Sequence, residues 1–496
     1  MSSLVSQHNS SVQFPQRLQL IGGEWSESSD GRTLDVENPA TKQVIHTVPR
    51  STAADVDRAV QAARAAFTSW KKVSVADRSR LFHQIADALE SRVEELARLV
   101  AHETGNALRT QTRPEAQMVV AGFRYFAGVL PELKGATLPL GDSLLSYTRR
   151  EPVGVVGAII PWNAPITIAL NKIAPALCAG NTLVLKAAED APFGVLLIAD
   201  ICNQFLPKGV LNVVIGIGEE CGAAIAAHPQ IDKLSFTGST SVGKLIMAAA
   251  AKRIVPVSLE LGGKSPTIVY DDADTPWAVE GVASAMRFTR QSQSCTAGSR
   301  LFVHRKIYDS FLDKLSTLVG QYKIGDPLDE ATDMGSLINR KQYDTVCSYI
   351  SDGLGTQSAK LLVGGMPPTE GALSKGYFTQ PTIFASESNA WRLAQEEIFG
   401  PVLVAIPWSD EDEVIRWANE SHYGLAGYVF SGNGARGLRT AHALDAGWVQ
   451  VNQGKGQLFG QPYGGFKESG IGKECSIESM LDNFTRLKNV TLNLDV

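Results

Sequence analysis

Two hydrophobic periods divide this chain. Between positions 54 and 130 apolar residues return every three or four places, as on the buried stripe of a helix. Val56, Val60, Ala63 and Phe67 share one face of a helix predicted over 54–70, with Thr52 as its cap and Asp55 three residues on. Further helices are predicted over 74–90, 91–104 and 114–130, with Ser91 and Glu94 as a second capping box and Gly105 as a stop. Ahead of them, 18–21 and 24–25 flank Gly22-Gly23 as a hairpin, and 1–17 reads as a mobile arm.

After position 152 the pattern changes to short apolar, β-branched runs alternating with helical stretches. Strands are predicted over 153–160, 182–186, 210–215, 233–236 and 256–261, with helices over 166–178, 192–205, 219–227 and 239–251 between them. Such alternation makes a parallel sheet covered on both faces, and nucleotides bind at the C-terminal ends of its strands. A second α/β series follows: strands over 265–270, 299–303, 402–406 and 427–430, helices over 308–322, 341–353, 410–419 and 435–444. The segment 140–151 and the tail 484–494 are strand-like pieces outside both series. The tail would be an open edge in a monomer, a liability that pairing with another subunit removes.

Composition narrows the picture further. A chain of 496 residues exceeds one hydrophobic core, so two or three domains are expected. The net charge of -5 gives no basic footprint for nucleic acid and no polybasic membrane patch. No apolar run reaches the roughly 18 residues of a bilayer span. Residues 1–15 do not read as a secretory signal, so cytosol is the expected compartment. Six cysteines are scattered with no CxxC pair and no His cluster, so neither a disulfide scaffold nor a metal site is expected.

One of those cysteines has unusual company. Cys295 stands in Gln291-Ser292-Gln293-Ser294-Cys295-Thr296-Ala297-Gly298-Ser299, among residues too small to fill the space around it. Most buried cysteines are inert, so its reactivity depends on the rest of the chain. Gly216-Ile217-Gly218 starts like a dinucleotide fingerprint but carries Cys221 where the pattern needs glycine, and reads better as a helix-entry loop. The next junction, Phe236-Thr237-Gly238-Ser239-Thr240-Ser241-Val242-Gly243, offers a glycine for close approach and a serine at a helix N-terminus, where a pyrophosphate is stabilised or an ordinary cap sits. Lys186 and Glu189 at a strand end suit the two hydroxyls of a ribose or a surface ion pair. Asn163, in Pro161-Trp162-Asn163, offers an amide donor that near a nascent oxyanion contributes roughly 2.7–4 kcal/mol. In Glu260-Leu261-Gly262-Gly263, a carboxylate precedes two glycines, which suggests a place where something else needs room.

Together these pieces resemble the aldehyde dehydrogenase superfamily, of the NAD(P)-dependent non-acylating kind. The likeness covers nearly the whole chain, from Gly23-Glu24-Trp25 and Asn38-Pro39-Ala40-Thr41 through the stretches above to Glu396-Glu397-Ile398-Phe399-Gly400-Pro401 and Pro462-Tyr463-Gly464-Gly465-Phe466-Lys467. The resemblance implies an α/β protein of three parts: a discontinuous Rossmann-like NAD domain (1–134 and 152–261), a catalytic domain (262–468) and a small β-ribbon for oligomerisation (135–151 and 469–496). It implies a homodimer or homotetramer, an aldehyde as the small-molecule substrate, and no nucleic-acid or membrane partner.

Carried over to this chain, Cys295 matches the nucleophile that gives a thiohemiacetal and then a thioester. Asn163 and the Cys295 amide match the oxyanion site, and Glu260 the base that activates water. Lys172 and Glu474 match a proton-relay pair. The implied cofactor cleft takes in Ile159, Pro161, Trp162, Lys186, Glu189, Gly238, Ser239, Gly243, Leu261, Glu397 and Phe399. NAD is expected because Glu189 repels a 2′-phosphate, and NADP stays open because that side chain can rotate away.

The implied substrate pocket takes in Ala164, Ile168, Asn171, Ser294, Thr296, Trp448, Phe459 and Tyr463. This chain departs from common members there. Ala164 and Asn171 stand where large rings are frequent, Ser292 replaces a glycine, and the loop 452–462 is shorter. A widened tunnel with aromatic walls suggests a bulky aromatic or medium-chain aldehyde. The alternatives are a betaine-aldehyde-like or semialdehyde substrate, an acylating relative, which typically lacks the glutamate base, or a non-catalytic structural relative. The last predicts loss of Cys295, Glu260 or Asn163, and all three are present.

Overall fold

The computed structural model describes residues 12–14 and 17–496. The arm expected over 1–17 falls mostly outside the described residues; within it Val12 and Phe14 pack against the core rather than standing free, the Phe14 ring 4.7 Å from that of Phe193. The Gly22-Gly23 hairpin forms as expected, Gln19–Ile21 pairing antiparallel with Glu24–Ser26.

The helices of the first third follow their hydrophobic stripes. Ala53–Trp70 starts on a full capping box of Thr52 and Asp55, worth about 1 kcal/mol of helix stability. Val75–Glu90 starts on Ser74, and Val93–Thr104 stops at Gly105, whose φ of 74° suits glycine. The second capping box does not form. Ser91 ends the preceding helix, and its hydroxyl donates back to the Ala88 carbonyl at 2.8 Å. The next helix opens instead at Arg92, with no side-chain cap, its guanidinium gripping Glu95.

The alternating region builds an eight-stranded sheet. Its order is Glu24–Ser26, Gln19–Ile21, Leu211–Ile215, Thr182–Ala187, Val155–Ile159, Lys233–Thr237, Val257–Glu260 and Gly470–Ile471. The five central strands are parallel, and the strands at both edges run antiparallel. Strand order reverses between Val155–Ile159 and Lys233–Thr237, the switch point at which open α/β sheets leave a crevice. The segments Pro161-Trp162-Asn163 and Gly238-Ser239 leave the sheet on the two sides of that reversal.

A second, seven-stranded sheet runs in the order Ala359–Val363, Thr382–Ser386, Val402–Trp408, Arg300–His304, Pro266–Val269, Ala426–Phe430 and Trp448–Val451. The strands Ala359–Val363, Thr382–Ser386 and Trp448–Val451 and the helix Pro276–Ala285 add to the expected series. A third sheet of three strands pairs the tail Thr485–Asn493 antiparallel along Leu144–Pro152, with Thr137–Leu138 on the other side. Among the described residues no strand pairs with the outer side of the tail, and Leu487, Leu492 and Leu494 on it are exposed. Gly470–Ile471 joins the first sheet, and the helix Ile477–Phe484 packs on its core. No helix among the described residues is long and apolar enough to cross a membrane.

Candidate active site

Cys295 lies on the loop that enters the second sheet at Arg300–His304, partly buried against that sheet's core. Its sulfur stands 3.2 Å from the Tyr463 hydroxyl. Burial pushes the thiol up to about 11, the phenol opposes this, and the charges of Glu397 and Glu260 add to it. Asn163 fixes the loop from the other side, its amide nitrogen donating to the Gln293 carbonyl at 2.9 Å. One amide hydrogen of Asn163 remains beyond that bond.

Glu260 ends the strand Val257–Glu260 and is buried. Neither of its carboxylate oxygens has a hydrogen-bond partner in the protein. Burial holds its carboxyl well above the usual range. Glu474 pushes the same way, and Lys172 and Lys473 oppose. Lys172 and Glu474 form an ion pair out of solvent.

The glycines explain how these groups fit. A Cβ on Gly262 would stand 2.2 Å from a Glu397 oxygen, and one on Gly263 2.3 Å from the Cys295 carbonyl. The Gly263 amide donates to Glu397 at 2.9 Å. A Cβ on Gly464 would stand 2.4 Å from Glu260 Oε1. The room foreseen after Glu260 is thus taken by Glu397 on one side and by the cysteine loop on the other.

Along the crevice, Lys186 pairs with Glu189 at 2.7 Å. Ser239 caps the helix Thr240–Ala251, accepting from the Val242 amide at 3.4 Å, and is exposed. Gly243 packs on Leu261, where a Cβ would approach to 2.5 Å, and Gly238 packs as closely on the Phe236 ring. Trp162 meets Phe399 edge to face at 5.5 Å, and Ile159 closes the buried strand Val155–Ile159. Phe399 holds a positive φ of 55°, a strained conformation for a ring-bearing residue.

A sequence model of the Aldehyde dehydrogenase family matches residues 25–490. The chain is 42% identical over 491 residues to aldehyde dehydrogenase family 2 member B4, mitochondrial, of Arabidopsis thaliana, covering 98% of this chain and 90% of that one. The chain belongs to the aldehyde dehydrogenase family. Among solved structures it resembles the NAD+ complex of aldehyde dehydrogenase from Bacillus cereus, with TM-score 0.93, 41% identity and 97% of each chain covered. It also resembles betaine aldehyde dehydrogenase from Staphylococcus aureus in complex with NAD+, with TM-score 0.94, 36% identity, and 97% of this chain and 96% of that one covered. Its two α/β sheets and ribbon are the aldehyde dehydrogenase fold.

The aldehyde dehydrogenase residues expected at the pocket are spread over several elements. Ala164 precedes the helix Pro165–Cys178, which carries Ile168 and Asn171; Asn171 Oδ1 is buried without a hydrogen-bond partner. The hydroxyls of Ser294 and Thr296 are 3.1 Å apart. Phe459 stacks on Tyr125 at 5.7 Å and packs between two helices. Trp448 sits behind Tyr463, with ring centres 5.9 Å apart. Sequence reasoning missed the Tyr463 contact to sulfur, the role of Gly464, and the pair of Arg290 with the buried Glu115. The repeated glycine at 464–465 was the one signal available for the second. Among the described residues no cluster of side chains could hold a metal ion.

Proposed function

We propose that this aldehyde dehydrogenase oxidises a bulky aromatic or medium-chain aldehyde to its carboxylic acid with NAD. The carrying observation is the convergence of Cys295, Tyr463 and Glu260: the phenol touches the sulfur, and the next residue, Gly464, leaves room for a carboxylate with no partner of its own.

The residues of the crevice fit NAD. Lys186 and Glu189 form a polar pair at a strand end for a ribose, Ser239 opens a helix whose N-terminus faces the crevice, and Glu397 is held by Gly263. When bound, NAD supplies the acceptor for the aldehyde hydride. Glu189 favours NAD by repelling a 2′-phosphate.

The chain's own part has three steps. Cys295, as thiolate, adds to the aldehyde carbon, and Asn163 with the Cys295 amide donates to the resulting oxyanion. Loss of hydride leaves a thioester on sulfur. Glu260 then takes a proton from water, hydroxide adds to the acyl carbon, and the acid leaves as the sulfur regains its electron pair. Buried and unpartnered, Glu260 has the raised proton affinity that a base near neutral pH needs. The Lys172–Glu474 pair beside it is assigned the relay of that proton.

Small Ala164 and Asn171 support a wide pocket, with Tyr463 and Phe459 as aromatic walls. A panel of aldehydes read as kcat/KM with NAD and NADP tests the substrate class. A steep preference for acetaldehyde overturns the bulky reading, a betaine-like or semialdehyde preference selects the alternative, and full turnover by Cys295→Ala overturns the mechanism. The division into NAD-binding, catalytic and ribbon parts is proposed with it. The open edge of the tail and its exposed leucines support a homodimer or homotetramer, which light scattering tests.

A further inference from the structure

A polar file runs along one face of the first sheet beneath Glu260. Alternate residues of a strand point the same way. Leu234, Phe236, Val257 and Leu259 go into a hydrophobic core, which leaves Lys233, Ser235, Thr237, Ser258 and Glu260 together on the opposite face. The parallel register sets Ser235 beside Ser258 and Thr237 beside Glu260. The Ser258 hydroxyl donates to Ser235 at 3.1 Å. Lys233 ends the file at the far side of the sheet, and its side chain is only 2% exposed.

The buried ion pair lies over this file. Lys172 comes from the helix Pro165–Cys178 and Glu474 from the loop after Gly470–Ile471. These two are the charges that act on Lys233, and together with Lys473 they also act on Glu260. One carboxylate therefore serves two buried lysines. Lys172 holds the contact, and among the described residues Lys233 has no ion-pair partner. A buried ammonium without a counter-charge is costly, so the amine is driven toward its neutral form. Burial, with the charge of Lys172, brings Lys233 down to about 7.

We infer that Lys233 is the outward proton station for Glu260, acting through the Lys172–Glu474 pair. The inference rests on the reading of Glu260 as the base of thioester hydrolysis. In that step water gives hydroxide to the acyl carbon and its proton to Glu260, and the sulfur leaves with its bonding electrons. Each turnover thus leaves one proton on a buried carboxyl that has no partner. Glu474 accepts it, the neutral Lys233 amine takes it from Glu474, and the Lys233 ammonium releases it to solvent at the start of the strand, where the residue keeps 2% of its surface exposed. Lys233 touches no reacting atom and is a positioning residue. Its amine sets the rate at which Glu260 is reset.

Two variants test this. Lys233→Met keeps the chain length and removes the titrating group. Lys233→Arg keeps the charge and loses the neutral form. Acylation and deacylation are read separately from an activated ester, as the burst and the following turnover, across pH 5.5 to 9 and in D2O. Both variants are expected to keep the burst and to slow deacylation by about tenfold or more, with the solvent isotope effect changed. A small amine in the buffer is expected to restore the rate of Lys233→Met. Wild-type deacylation, pH profile and isotope effect in the variants overturn the inference, and should Lys233→Met not fold, Lys233→Arg alone decides by the same readouts. Glu260→Gln runs alongside. If it deacylates at the wild-type rate, the base reading itself fails. If it is inactive in deacylation while the Lys233 variants are unchanged, only the role of Lys233 fails.

Discussion

The Tyr463 hydroxyl and the Cys295 sulfur, 3.2 Å apart, form the one side-chain hydrogen bond described at the thiol. Donated to a thiolate, such a bond contributes about 1.5–3 kcal/mol. Tyr463→Phe removes the donor and keeps the ring against Trp448. Alkylation of Cys295 by iodoacetamide at fixed pH is expected to slow about tenfold, since 1.36 kcal/mol corresponds to one pH unit. Mass spectrometry of the labelled cysteine follows it, and an unchanged rate means the phenol does not stabilise the thiolate.

The thiol itself makes a prediction about pH. Burial pushes Cys295 up to about 11. A raised acid is protonated over a wider range, so the thiolate fraction falls about tenfold for each pH unit below that value. Alkylation of the free protein is expected to keep rising beyond pH 9, where an ordinary thiol levels off. A plateau by pH 8.5 contradicts the burial argument.

Gly464→Ala and Gly262→Ala separate two functions. At Gly464 a Cβ would meet Glu260 Oε1 at 2.4 Å, and the φ of 153° is one that side chains rarely adopt. Gly464→Ala is expected to keep the NADH burst and lower steady turnover about a hundredfold. At Gly262 a Cβ would meet Glu397 at 2.2 Å instead. Gly262→Ala is expected to raise the KM for NAD far more than that for the aldehyde. Equal effects of both variants on burst and turnover would mean a general distortion of the loop.

Ala164 sets the width of the proposed pocket. Ala164→Phe is expected to lower kcat/KM for bulky aldehydes by at least about tenfold and leave short aldehydes nearly unchanged, because ring volume is discriminated by sterics. An equal loss across a chain-length series places Ala164 away from the substrate.

What the sequence carried, it carried in local signals. Strand and helix periods, the Thr52–Asp55 capping box and the glycines after Glu260 are legible because each depends on neighbours a few places away. Gly262 and Gly263 declared that room was needed, and only the folded chain says that Glu397 and the Cys295 carbonyl fill it. The bond from Tyr463 to Cys295 spans 168 positions, so Tyr463 reads only as an aromatic wall. Ser91 misled because the same hydroxyl can start one helix or close another, and the short connection between two helices decided for closing. Nothing near Lys233 or Lys264 in the sequence marks them as buried, since burial of an ionised side chain by a remote element leaves no local mark. Lys264 Nζ is in fact buried without a partner.

Glu103 is another buried charge of this kind, and its behaviour with pH can be predicted. It lies at the end of Val93–Thr104 and accepts from the Phe193 and Gly194 amides at 2.6 and 2.9 Å, satisfying the start of a helix that has no cap of its own. Glu103→Gln puts an NH2 where one of those amides needs an acceptor, at a cost of about 1–3 kcal/mol. Burial pushes the Glu103 carboxyl up to about 8. For an acid raised in the folded state, the stabilisation is complete below the unfolded value near 4.5 and is lost as pH rises through the folded one. Between pH 5 and 8 the unfolded chain ionises while the folded protein keeps its proton, so wild type loses stability that the glutamine variant, having nothing to titrate there, retains. The gap between urea midpoints of wild type and Glu103→Gln is therefore expected to be widest near pH 5 and to close toward pH 8. A gap constant over that range would mean that the two amide donors outweigh burial and hold Glu103 ionised.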